Sequence, residues 1–261
     1  MRRLLALIML ACTLGLAQAG TACQPKKNDA HTFIKAVRLA EQTRINLEAS
    51  GAKVALIARV GRDLSRYRLR YSHMAFVVRD HPKGQWIVVH ELNECGTDHS
   101  GLYDQGLATF FLDDLFAYDA ALLIPSPASQ ARLAQMLATR IPQQLHSRRY
   151  NMLSYAYSTQ YQNSNQWVLE TYAAASSEFP IQERSQAQGW LRMAGYRPLT
   201  VHVSAAERLG ARMFSANVSF DDHPFARRMA GQIDTVTVES VMSFVRQRDP
   251  GATQQLITLR Q

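Results

Sequence analysis

Residues 73–80, "HMAFVVRD", and 85–92, "QWIVVHEL", are two runs rich in β-branched and aromatic residues, separated by the turn-forming "HPKG". Two such segments with a short polar connection can pair only as an antiparallel hairpin, because a parallel pairing needs a crossover of a dozen residues or more. A lone hairpin is at best marginally stable in water, so further strands or helices must cover it. Upstream, "KVALIARVG" reads as a buried strand, and downstream "AYDAALLIP" is another strand candidate.

Helices are expected on both sides of this strand-rich region. From Asp29 to Ser50 the apolar residues Phe33, Val37 and Ala40 fall at helical spacing, and Gly51 is placed as a C-terminal stop. Ser126 and Pro127 form an N-cap followed by proline at the first helical position, opening a helix to about Arg140. A further helix is expected from near Ser164 to about Ser176, with Trp167, Val168 and Thr171 turned inward. The last third reads as helices near Gln182–Ala194 and Ala205–Phe214, a strand at "LTVHVS" and a terminal helix from about Val238. No repeat or linker divides the chain, so residues 20–261 are expected to form one α+β domain with a small antiparallel sheet packed against helices.

The N-terminal "MRRLLALIMLACTLGLAQAG" has two arginines, an apolar run to about Leu16 and small residues at cleavage spacing. That is the pattern of a secretory signal peptide over residues 1–19. The rival is a lipid anchor on Cys23, although Gly20-Thr21-Ala22 lacks the leucine expected three positions earlier. No later stretch approaches the roughly 18 apolar residues of a membrane span, so the expected location is periplasmic or secreted. Of 29 basic residues, Arg2 and Arg3 leave with the signal; the remainder against 21 acidic residues give +6. The arginines are scattered and match no nucleic-acid motif, which fits a solvated surface or attraction to an anionic envelope polymer. Cys23 and Cys95 remain after cleavage, an even number in an oxidising compartment. Their pairing would close a loop of about 70 residues; the alternative is two buried thiols. With no CxxC spacing and no HxxxH pair, no metal or other cofactor is expected.

His73 opens the first hairpin strand. If Arg79 faces Gln85 across the turn, His73 lies opposite Glu91; a one-residue bulge brings His90 there instead. Either arrangement sets a polar, proton-binding side chain beside an imidazole, the usual general base near neutral pH. His31, His81, His99, His146 and His202 have no comparable setting, and Asp222-His223-Pro224 reads as a turn or helix start. In "YQNSNQW", residues 161–167, Ser164 between Asn163 and Asn165 is either a helix cap or a nucleophile at a helix N-terminus.

The order "YSHMAFVV", "WIVVHEL", a strand ending in proline, a helix, then "YQNSNQW" resembles the circularly permuted branch of the NlpC-type papain-like superfamily, over about residues 54–177. Residues 178–261 would then be a helical extension. Overall, the chain is also similar to a group of exported bacterial proteins known only as a domain of unknown function. The permuted-core resemblance implies His73 as base, His90 as the orienting polar residue and Ser164 at the nucleophile position. Beside these, Asn163 and Asn165 are read as polar neighbours, with Asn163 alternatively a simple cap, and Glu91 as the register alternative to His90. It also implies hydrolysis or transfer at an amide or ester of a cell-envelope polymer, peptide or lipid, or else a silent cleft binding a peptide, glycan or protein. The family has cysteine where this chain has Ser164. A hydroxyl is not ionised by a helix N-terminus alone, so serine would depend on His73 throughout.

Overall fold

The computed structural model describes residues 29–113 and 115–259. The expected signal peptide and Cys23, and with it the expected Cys23–Cys95 pairing, lie outside the described residues. The chain is mixed α+β. The first helix, α1, spans Ala30–Ser50; the Asp29 side chain accepts from the Thr32 amide at its start, and Gly51 closes it at φ 65. Only a residue without a Cβ takes that left-handed conformation at no cost.

Strands β1 (Val54–Val60), β2 (His73–His81), β3 (Gly84–Asn93), β4 (Ser100–Gly106), β5 (Ala117–Ile124) and β8 (Thr253–Thr258) make one antiparallel sheet in the order β4-β3-β2-β1-β5-β8. β1 is buried at every position because both faces of the sheet are covered. Val54, Leu56, Ala58 and Val60 point into one apolar cluster, Ala55 and Ile57 into the other. The second cluster is closed by α1 and by the short helix α2 (Leu107–Leu112), which supplies Phe110 and Phe111.

The first cluster is built around α5 (Ser164–Ser176). Before it come α3 (Pro127–Leu137) and α4 (Ile141–Gln144); after it come α6 (Arg184–Met193), α7 (Ala205–Phe214), α8 (Phe225–Met229) and α9 (Val238–Arg248), with β6 (Leu199–His202) and β7 (Gln232–Thr235) paired separately. Helix α5 is not the one-sided amphipath that its sequence suggests. Twelve of its thirteen residues are buried, since the sheet covers one side and other helices the rest. Trp167 lies edge-on to Phe76 of β2, with 5.8 Å between ring centroids, and its indole N–H donates to the Pro142 carbonyl at 2.9 Å.

The stretch expected as a helical extension carries three strands as well as its helices. β8 joins the main sheet beside β5, and β6 and β7 form a two-stranded sheet. β8 is an edge strand, "TQQLIT", exposed at most positions, so it lacks the apolar alternation by which a half-buried strand announces itself. Among the described residues no helix is long and apolar enough to cross a membrane.

Candidate active site

Hairpin register decides which side chains meet. Asp80, not Arg79, faces Gln85, and Phe76 faces Val89 without a bulge between. The expected Arg79–Gln85 pairing is therefore off by one residue, and a one-residue change reverses the face of every side chain on the partner strand. Continued by one pair, the register sets His90 opposite Ala75, on the same face as His73 and diagonal to it. Glu91 turns to the opposite face instead of meeting His73.

The two imidazoles and Ser164 form a continuous chain. His73 Nδ1 lies 3.0 Å from Ser164 Oγ. His73 Nε2 lies 2.9 Å from His90 Nδ1, and His90 Nε2 lies 3.2 Å from Gln105 Oε1 on β4. Phe110 from α2 packs on both imidazoles, with centroids 5.9 and 5.5 Å away. Ser164 and His73 retain 4% and 8% of their exposure, and His90 none.

Asn163, not Ser164, caps α5: its Oδ1 accepts from the Gln166 amide at 2.9 Å, while its side-chain amide donates towards Met152 O, Thr235 Oγ1 and Val236 O. Ser164 is thus the first helical residue, and its hydroxyl is left to face His73. Asn165 ties the start of α5 to β2, accepting from the Met74 amide at 3.0 Å, and donates to Val236 O at 3.4 Å. Both asparagines therefore spend their polar atoms on the protein.

The electrostatics favour neutral imidazoles. Burial, then the charge of Arg59, then His90 hold His73 well below its ordinary value. Burial and Arg59 push His90 down to about 4, against the pull of Gln105, Asp113 and Asp104. Arg59 lies 4.8 Å from the centre of the Phe110 ring, donates to the Phe110 and Asp113 carbonyls, and pairs with Asp113 at 2.5 Å. On the other face, neither oxygen of Glu91 has a hydrogen-bond partner among the described residues. The nearby Ser100 hydroxyl is committed to the Ser147 carbonyl and His146. Burial lifts the Glu91 carboxyl to about 8, with Ser100 and Arg184 pulling back and Glu170 adding to the rise. Tyr150 joins the two regions. Burial and Glu91 raise its phenol pKa, and the neighbouring Ser164 hydroxyl lowers it.

Glu91 carries a sign-determined prediction. From its ordinary 4.5 to about 8 the folded carboxyl keeps a proton that the unfolded chain has lost. Stability contributed by this group therefore falls as pH rises through that window, by up to about 1.4 kcal/mol per unit. Glu91→Gln should flatten the decline, so its stability advantage over the natural chain should be larger at pH 8 than at pH 5 in urea unfolding. Parallel curves for the two proteins would contradict an uncharged Glu91.

Gln105, Tyr150 and Arg59 are the site residues that sequence reasoning missed. "SGLYDQG" carries two glycines and gives β4 little strand character, and Tyr150 sits in an irregular loop. A third short strand following the hairpin was the available signal for Gln105. Among the described residues no cluster of three or more His, Cys, Asp or Glu is arranged to hold a metal.

These features define an α+β protein with a buried serine–histidine–histidine array where a helix N-terminus meets a strand end. The family model described as "Uncharacterized protein conserved in bacteria (DUF2145)" matches residues 46–245, and the chain belongs to that family. Neither the curated proteins nor the solved structures give a match to it.

Proposed function

We propose that this protein is an exported serine-variant hydrolase or acyltransferase of the permuted papain-like kind, acting on an amide or ester in the cell envelope. The observation that carries the reading is His73 Nδ1 at 3.0 Å from Ser164 Oγ, with His90 Nδ1 2.9 Å behind the other ring nitrogen. A nucleophile, a base within hydrogen-bond reach and a third group orienting the base are the parts of nucleophilic acyl transfer. The order of segments, with histidine opening a strand and the nucleophile arriving later at a helix start, supports the papain-like comparison.

In this mechanism Ser164 Oγ attacks the substrate carbonyl carbon as its proton passes to His73 Nδ1. The resulting oxyanion is met by the positive end of α5. Collapse of the tetrahedral intermediate expels the amine or alcohol, which takes the proton from His73 and leaves an acyl group on Ser164. Water, or an acceptor hydroxyl or amine, gives its proton to His73 and attacks the acyl carbon; collapse of this second intermediate breaks the acyl–Oγ bond, and Ser164 Oγ takes the proton back from His73. The depressed basicity of His73 keeps the ring neutral, and hence competent, below the usual imidazole range.

A broad fluorophosphonate probe applied to the periplasmic fraction of cells producing the full chain tests this directly. Ser164 should be labelled, with a rate that persists below pH 6.5; Ser164→Ala should abolish labelling, and His73→Ala should slow it by roughly 10²–10⁴-fold. A second reading, a silent module that binds a peptide, glycan or protein, is favoured by the near-complete burial of Ser164 and His73. Absence of labelling at any pH would select it.

A further inference from the structure

We infer that Gln105 is a positioning residue whose side-chain oxygen sets the direction of the whole proton chain, and so determines whether His73 presents a base or a proton to Ser164. The inference rests on the reading of Ser164 as nucleophile and His73 as base, and assigns a role to a fourth residue. A neutral imidazole has one N–H and one bare nitrogen, so each ring in a line passes on the polarity that it receives. With Gln105 Oε1 at 3.2 Å, His90 Nε2 must carry the proton in order to donate. His90 Nδ1 is then bare and accepts from His73 Nε2–H across 2.9 Å. That leaves His73 Nδ1 bare at 3.0 Å from Ser164 Oγ, the one arrangement in which it can receive the serine proton.

The opposite polarity is equally well formed and catalytically dead. Were the Gln105 amide turned to present its NH₂, His90 would hold its proton on Nδ1 and His73 would hold its own on Nδ1, donating to the serine oxygen. Nothing else along the line breaks the symmetry, since a hydroxyl both donates and accepts. The choice is made at β4, three hydrogen bonds away from Ser164 along the chain. The charges facing the two rings are Arg59 from β1, Asp104 from β4 and Asp113 beyond α2. They bear on the total charge of the array; the amide acts on where its protons sit.

The test uses the full mature chain with ¹⁵N-labelled histidine, comparing the natural protein with Gln105→Glu, which is isosteric and can only accept, and Gln105→Leu, which can do neither. Long-range ¹H–¹⁵N spectra report directly which ring nitrogen is protonated, with each signal assigned by removing one histidine at a time. His73 and His90 should both be protonated on Nε2 in the natural protein and in Gln105→Glu. Gln105→Leu should show mixed or reversed tautomers and fluorophosphonate labelling slowed roughly ten-fold, a fraction of what a general base supplies. Gln105→Glu should restore the rate and move the acid limb of labelling to higher pH, because its charge favours protonated imidazole. An unchanged His73 tautomer in Gln105→Leu would overturn the inference. A tautomer that follows Gln105 in a protein that is never labelled would sustain it, while rejecting Ser164 as a nucleophile.

Discussion

Ser164→Cys should turn a slowly reacting hydroxyl into a thiol that iodoacetamide alkylates rapidly near neutral pH. A cysteine with the reference pKa of about 8.5 is only a few per cent thiolate at pH 7, whereas a helix N-terminus and an adjacent imidazole bring such thiols to roughly 3.5–7.5. Alkylation should therefore be about ten- to thirty-fold faster than that of the same residue in the unfolded chain. Two influences oppose each other here. Arg59 favours the thiolate but resists protonation of His73, and burial disfavours both charges. The 3.0 Å approach of His73 to position 164 lets the two charges compensate one another. Adding His73→Ala should remove most of the acceleration; His90→Ala should remove less, because it loosens the ring without deleting it. A rate indifferent to His73 would contradict the proposed pairing.

Arg184→Met should cost about 3–5 kcal/mol, a large share of the roughly 5–15 kcal/mol that holds a domain folded. Glu170 of α5 is fully buried, and Arg184 of α6 approaches it at 2.8 Å. The same carboxylate accepts from Gln162 at 2.6 Å, Gln188 at 2.7 Å and Gln166 at 3.2 Å. The guanidinium also donates to the carbonyls of Thr159 and Tyr161, fastening the loop that enters α5. Deleting the cation strands a negative charge in the core, the costly half of breaking a buried pair. Adding Glu170→Gln should recover part of the loss, which urea unfolding of the two variants would measure. A cost below about 1 kcal/mol for Arg184→Met would mean that the glutamines suffice alone.

The β1–β2–β3 core was legible because its strands are apolar and the turn between β2 and β3 is polar. The α1, α3 and α5 starts were legible from Asp29, Ser126 and the 163–165 segment. What escaped notice is what long-range packing decides. Hairpin register depends on a single residue at the turn, and with it whether Glu91 or His90 stands with His73. The polar stripe Gln162, Gln166 and Glu170 follows helical spacing, yet its partner Arg184 lies beyond the next loop, so its meaning appears only when α6 packs on α5. Gln105 was hidden because β4 is glycine-bearing and mostly part-exposed. The resemblance brought His73, His90 and Ser164 together by segment order; their distances come from the fold.

Because α5 is enclosed along almost its whole length, its first turn has no independent way to open. Backbone groups of such an element exchange with solvent chiefly through events that disrupt the whole cooperative unit, not through local fraying. Position 164 therefore shares the protection of an enclosed segment. The cover beside it is also set by a regular element, since Phe110 of α2 packs on His73 and His90. A molecule that reaches position 164 would meet a site whose rigidity is inherited from the global fold, and any sequence change that loosens the interior would loosen that site with it.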